Sequence, residues 1–98
     1  NQSRNSLNLE QAYAKEIALA LDSAKVGSVI FIDLKDGVEV DKKWFEKNFK
    51  SSVVVDKNIV YVKFSEKEGY SYSFFNNIKP VIEVGPNGGV LISVRESE

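Results

Sequence analysis

The sequence predicts an α+β domain: an N-terminal α-helix packed on an antiparallel β-meander, with a short second helix between the first strands and the meander. Three observations predict it. Only Asn8 to Ala24 (NLEQAYAKEIALALDSA) carries a strong helical pattern. Nearly everything after it reads as short runs of β-branched and aromatic residues bounded by turn signals. The main runs are joined by short turns, whereas parallel strands need long crossover connections. The 98 residues suit a single domain, with a flexible lead-in over 1–7, a helix over 8–26 and a mainly antiparallel sheet over 28–95.

The helix has start and stop signals. Asn8 is a good N-cap, Gln11 stands where a capping box needs it, and Glu10 suits the positive end of the dipole. An advance of about 100° per residue places Leu9, Tyr13, Ile17, Ala20, Leu21 and Ala24 on one stripe. Gln11, Lys15, Ala18, Asp22 and Lys25 fall opposite. Leu19 lies outside the stripe, so it either widens the core face or touches a neighbouring subunit. Gly27 is the stop, with Lys25 in the last turn.

Ser28 to Leu34 is a strand with Ile30, Ile32 and Leu34 on one face and Val29, Phe31 and Asp33 on the other. Both faces are largely apolar, which predicts a central strand or one covered on both sides. Asp36-Gly37 is a turn signal, and Val38 to Val40 is a short return strand. Asp41 then caps a helix over Lys42 to Lys50, on which Phe45 and Phe49 share a side at i,i+4. Trp44 lies beside that stripe, where it either pins the helix to the sheet or presents an aromatic surface.

From Ser52 onward the pattern is one of consecutive hairpins. A three-residue Asp56–Asn58 loop pairs Val55 with Ile59 and puts Val54, Val60 and Val62 on one face, with Asn58 in a left-handed conformation. A bulge at Gly69 places Tyr72 beside Phe64 and Phe74 beside Val62, because burying aromatics together outweighs burying Ser71 and Ser73. The expected core face is Val60, Val62, Phe64, Tyr72 and Phe74. Asn76-Asn77 suits a tight turn. Pro80 marks an edge or a bulge in the strand Ile78 to Val84. Across the Gly85–Gly89 turn, Val84 pairs with Val90 and Ile82 with Ile92, and a charged tail runs from Arg95 to Glu98.

Composition narrows the chemistry. The net charge is −1, from 13 Lys+Arg against 14 Asp+Glu, so there is neither a basic footprint for nucleic acid nor a polybasic membrane patch. His and Cys are both absent, which removes Ser-His-Asp and Cys-His catalysis and any His/Cys zinc site within the chain. The alternation Tyr70-Ser71-Tyr72-Ser73-Phe74 resembles a base-stacking sheet, but no Arg or Lys cluster interleaves the rings. Gly85 to Gly89 lacks the Lys-Ser/Thr and the helix of a phosphate loop. Asp33 is the acid of most interest for a carboxylate pair, since it sits in an apolar strand; an outward-facing or hydrogen-bonded position near the strand end is the preferred reading. Asp36, Asp41 and Asp56 read as turn and cap residues, Glu66 and Glu68 as a solvated turn, and Glu83 as the exposed member of an alternating strand. No enzyme activity, cofactor or metal is expected. Asn1-Gln2-Ser3 matches the N-glycosylation pattern.

The order of elements, Gln11 to Ala24 (QAYAKEIALALDSA) followed by strands at Ser28–Leu34 and Ser52–Val94, resembles the soluble head of type IV pilin-like proteins, including archaeal ones. In that family a hydrophobic N-terminal helix anchors the subunit or packs in a filament, and its lower half packs on the sheet. The resemblance implies self-assembly, partner subunits, an extracellular or cell-surface location and a membrane anchor upstream of Asn1. On this reading the chain is a non-enzymatic structural or surface domain. The alternative is a small soluble protein-binding module (an inhibitor, immunity or adaptor protein), with a cytoplasmic location as the alternative to the surface. Leu19 and Trp44 are the candidate partner-contact residues.

Overall fold

The computed structural model describes residues 2–67 and 69–97, with side chains from Ser6 onward. The architecture is α+β. Helix α1 (Gln2–Ser23) leads to β1 (Val29–Asp33), the short helices α2 (Lys35–Val38) and α3 (Lys42–Asn48), and then β2 (Val53–Asp56), β3 (Ile59–Val62), β4 (Tyr70–Ser73), β5 (Ile78–Val84) and β6 (Gly89–Glu96).

The helix differs from expectation at both ends. It begins at Gln2, so the expected lead-in is helical and Asn8 lies inside the helix instead of capping it. Ser6 explains the extension: it is buried, and its hydroxyl donates to Glu10 Oε2 at 3.3 Å, an i,i+4 contact that needs a helical turn. The helix ends at Ser23, before Lys25. Asn76 Nδ2 donates to the carbonyls of Leu21 and Ala24, both at 2.9 Å, and so satisfies acceptors that the last turn leaves open. The inner stripe is also rotated. Glu10, Ala14, Ile17, Ala18 and Leu21 are buried, while Leu9, Tyr13, Ala20 and Ala24 are only half-buried.

The strands form two antiparallel three-stranded sheets, ordered β1-β6-β5 and β2-β3-β4. The expected five-strand meander is therefore broken between β4 and β5, and β6 pairs with β1 instead of ending the chain at an edge. Strands β5 and β2 lie side by side without pairing, and α1 packs along β3 and β4. Buried side chains from α1, α3 and both sheets make one cluster, among them Ile17, Leu21, Phe45, Val62, Phe64, Phe74 and Ile92.

Register decides which residues enter that cluster. Val84 pairs with Val90 and Ile82 with Ile92, as expected, and Pro80 sits on the edge strand β5. The β2–β3 turn has two residues instead of three: Lys57 and Asn58 both have positive φ (50° and 62°), and Asp56 pairs with Ile59. That one-residue difference reverses β2, so Val53 is buried and Val54 is 41% exposed. In β3–β4 the expected core face holds, but Val62 faces Tyr70 and Val60 faces Tyr72. No bulge forms at Gly69; instead its Cα lies so close to the Val62 carbonyl that a side chain has no room.

Asp36-Gly37 does not turn a hairpin. These residues lie in α2, and Gly37 is buried directly under the Phe64 ring, where a Cβ would collide with it. Strand β1 is an edge strand whose outer side chains, Val29 (64%) and Phe31 (62%), are exposed, so it is not covered on both faces. Asp41 caps α3 as expected, accepting the Trp44 N–H at 3.1 Å.

Candidate functional site

The residues singled out from sequence separate in the structure. Leu19 is 54% exposed on the outer side of α1, so the core does not need it. Trp44 is buried, at 9% exposure, and joins the core beside Phe45. The expected exposed Trp44 surface is absent because α3 turns that side inward. The Lys63 ammonium lies 5.6 Å from the Trp44 ring centroid and covers part of what remains.

Four carboxylates, Glu10, Asp22, Asp33 and Asp41, accept backbone N–H groups. Asp33 is exposed; its Oδ1 accepts the Lys35 N–H at 3.0 Å, and its carbonyl accepts the Tyr13 hydroxyl at 3.0 Å. Asp22 Oδ1 accepts the N–H groups of Phe75 (2.6 Å) and Asn76 (3.0 Å). An acid near a helix C-terminus opposes the dipole, so Asp22 is placed there by this tether and not by the helix. Its consequence is a presented aromatic ring. Phe75 is 83% exposed, yet its backbone is fixed between buried Phe74 and the Asn76 side chain that closes α1.

Glu10 is the residue that sequence reasoning missed. It is 1% exposed, and its Oε2 accepts the Phe64 N–H at 2.9 Å as well as the Ser6 hydroxyl. Burial pushes its carboxyl above the ordinary value; the Phe64 N–H, the Ser6 hydroxyl and the Lys63 charge oppose that rise. The signal for it in the sequence is the i,i+4 spacing of Ser6 and Glu10, which has meaning only once the 1–7 segment is helical. With Phe64 also edge-on to Tyr13 (centroids 5.5 Å apart, 83° between planes), the group ties α1 to the segment after β3.

An open groove of about 400 Å³ runs past Ser51, Tyr61, Lys63, Gly69 and Tyr70. Its described lining residues offer hydroxyls, aromatic edges and the Lys63 ammonium, with no carboxylate among them, so they suit non-covalent contact better than acid–base chemistry. Among the described residues no group of three or more His, Cys, Asp or Glu side chains is placed to hold a metal ion.

The outer face of the β1-β6-β5 sheet carries exposed apolar side chains. The register lines up Val81, Ser93 and Val29 in one row and Glu83, Leu91 and Phe31 in the next. Leu91 is 45% exposed beside Phe31. The row on one side carries Lys79 and Arg95.

Among the described residues no helix is long and apolar enough to cross a membrane. The Asn1 glycosylation pattern, like Glu68 and Glu98, lies outside the described residues. Compared with known proteins, the chain matches no family model, no curated protein and no solved structure.

Proposed function

We infer that the chain is a non-enzymatic structural or surface domain, the head of a membrane-anchored or pilin-like filament subunit at the cell surface. The observation that carries this reading is the place of α1. Both sheets contribute to the cluster that receives its inner stripe, and the stripe through Ala12, Lys15 and Leu19 stays in solvent. A helix that serves as the spine of a head and keeps an apolar residue such as Leu19 outside is suited to meeting neighbouring subunits. The carboxylates support the non-enzymatic part of the reading: Glu10, Asp22, Asp33 and Asp41 each accept backbone N–H groups. The test is the parent gene upstream of Asn1. An encoded apolar segment of about 20 residues is expected, and a reading frame that opens near Asn1 without one overturns the reading.

A second reading, a small soluble protein-binding module, is favoured by Phe75. A ring that is 83% exposed on a pinned backbone has the form of an interface anchor.

A further inference from the structure

We propose that the outer face of the β1-β6-β5 sheet is a self-association surface that takes a second copy of this chain, face to face about a two-fold axis. The proposal does not rest on the pilin-like reading, because the face belongs to the folded head whatever precedes it.

Three observations carry it. The first is an apolar band left in solvent: Val29 is 64% exposed, Phe31 62% and Leu91 45%, with half-buried Val81 in the same outer set. The outer face of the other sheet differs, since Tyr61, Ser71, Asp56 and Ser73 supply hydroxyls and a carboxylate along with Val54 and Ile59. The second is the order of charges along β5. Lys79 and Glu83 stand two residues either side of Val81, both exposed and both on the outer face. Arg95 pairs with Lys79 at the basic end, and Asp33 lies on the acidic side of Phe31. The third is that Lys79, Glu83 and Arg95 form no ion pair with another described residue, while Asp33 is held by the Lys35 N–H. Among the described residues the only salt bridge is Lys42 with Glu39.

A two-fold axis across the strands, passing over Val81, joins the order of charges to the apolar row through Val29 and Val81, with Leu91 of each copy over the alkyl stem of Arg95 of the other and Phe31 flanking the Val29 contact. It sets Lys79 of each copy over Glu83 of the other and lays Val29 and Val81 on their own counterparts. Such a contact is isologous and closed, so it joins two heads and does not propagate. A two-fold axis along β5 would instead stack Lys79 on Lys79. The face is small, three strands wide at about 4.8 Å each and some five residues long at about 3.3 Å each, or about 14 by 17 Å. That is far below the roughly 800 Å² per partner of a standard stable interface, so association is weak and concentration-dependent.

The test is sedimentation equilibrium of the 98-residue chain from about 10 μM to about 1 mM at low salt, a range that brackets weak self-association. The expected result is a reversible monomer–dimer equilibrium, weakened at least about tenfold by Phe31→Ser and weakened by added salt. Lys79→Glu and Glu83→Lys should each abolish the dimer, while an equimolar mixture of the two variants restores it, because both cross-contacts are again of opposite sign. All these side chains are exposed, and circular dichroism checks that each variant keeps its fold. A wild-type chain that stays monomeric throughout, a dimer indifferent to Phe31→Ser, or a mixture no more associated than its components overturns the proposal. Each of these outcomes leaves the upstream-gene test of the filament reading untouched.

Discussion

The two sheets have the same number of strands and share one core, yet their outer faces are built differently. In the β2-β3-β4 sheet the two-residue Lys57-Asn58 turn sets a register in which Tyr61, Ser71 and Ser73 face solvent. In the β1-β6-β5 sheet strict alternation buries Ile32, Val90 and Ile92 and sends Val29, Phe31 and Leu91 outward. The edges differ as well. The outward N–H after β4, on Phe75, is taken by Asp22 of α1, whereas along β1 the Tyr13 hydroxyl reaches only the Asp33 carbonyl. The helix thus closes one sheet along its flank and touches the other at one corner. The helix packs along the β2-β3-β4 sheet, and the other sheet keeps its outer face in solvent.

The largest expected effects test the shared core. Phe64→Ala should cost about 3–5 kcal/mol and Ile92→Ala about 2–5 kcal/mol in denaturant unfolding, since both side chains are fully buried. A small loss at Ile92 alone would mean that the β1-β6-β5 sheet is not part of the same cooperative unit.

Glu10→Ala comes next, at about 1–3 kcal/mol, because it leaves the buried Phe64 N–H without its acceptor. The isosteric Glu10→Gln sharpens the point through pH. The folded-state carboxyl is raised above its ordinary value of 4.5, so the stability it contributes is full below that value and is lost as pH rises through the folded value. The stability of Glu10→Gln relative to wild type should therefore grow between about pH 4 and pH 7. A difference that stays flat across that range removes burial as the dominant influence.

Asp22→Ala should cost about 1 kcal/mol, being the loss of two N–H contacts at an exposed site, partly offset by relief of an unfavourable helix-dipole position. Smallest of all, Phe31→Ser and Tyr61→Ser should each change stability by no more than about 0.5 kcal/mol, as exposed substitutions do. Only Phe31→Ser should alter sedimentation, and equal behaviour of the two would erase the contrast between the faces.

Local chemistry made a good part of this legible. The length of the Gly85–Gly89 turn and the placing of Val84, Val90, Ile82 and Ile92 determine a register with no outside help. Asp41 caps its helix through a contact three residues away. The parity of Val60, Val62, Phe64, Tyr72 and Phe74 was readable because a strand must choose a side, although the pairing partners shifted along it. What escaped depends on residues far apart. Asn76-Asn77 has the composition of a hairpin turn, and nothing nearby shows that Asn76 will close α1, more than 50 positions earlier. Gly37 looked like a turn glycine until Phe64 was placed over it. Glu10 reads as a first-turn acid suited to the helix dipole, and its actual partner is hidden because a backbone N–H is common to every residue but proline.

The same long-range contacts set a timetable for folding. Helix α1 emerges before the strands in synthesis, but its buried carboxylate waits for Phe64 and its final carbonyls wait for Asn76. Until those residues follow, the helix has neither its polar partners nor a sheet to lie on, and most of the stability of a protein helix comes from such packing. Folding should therefore be late and concerted, with contacts of high sequence separation forming in the rate-limiting step. Ribosome-bound chains truncated before β4 should show little protection of α1 amides from exchange, and chains that include Asn76 should gain it abruptly.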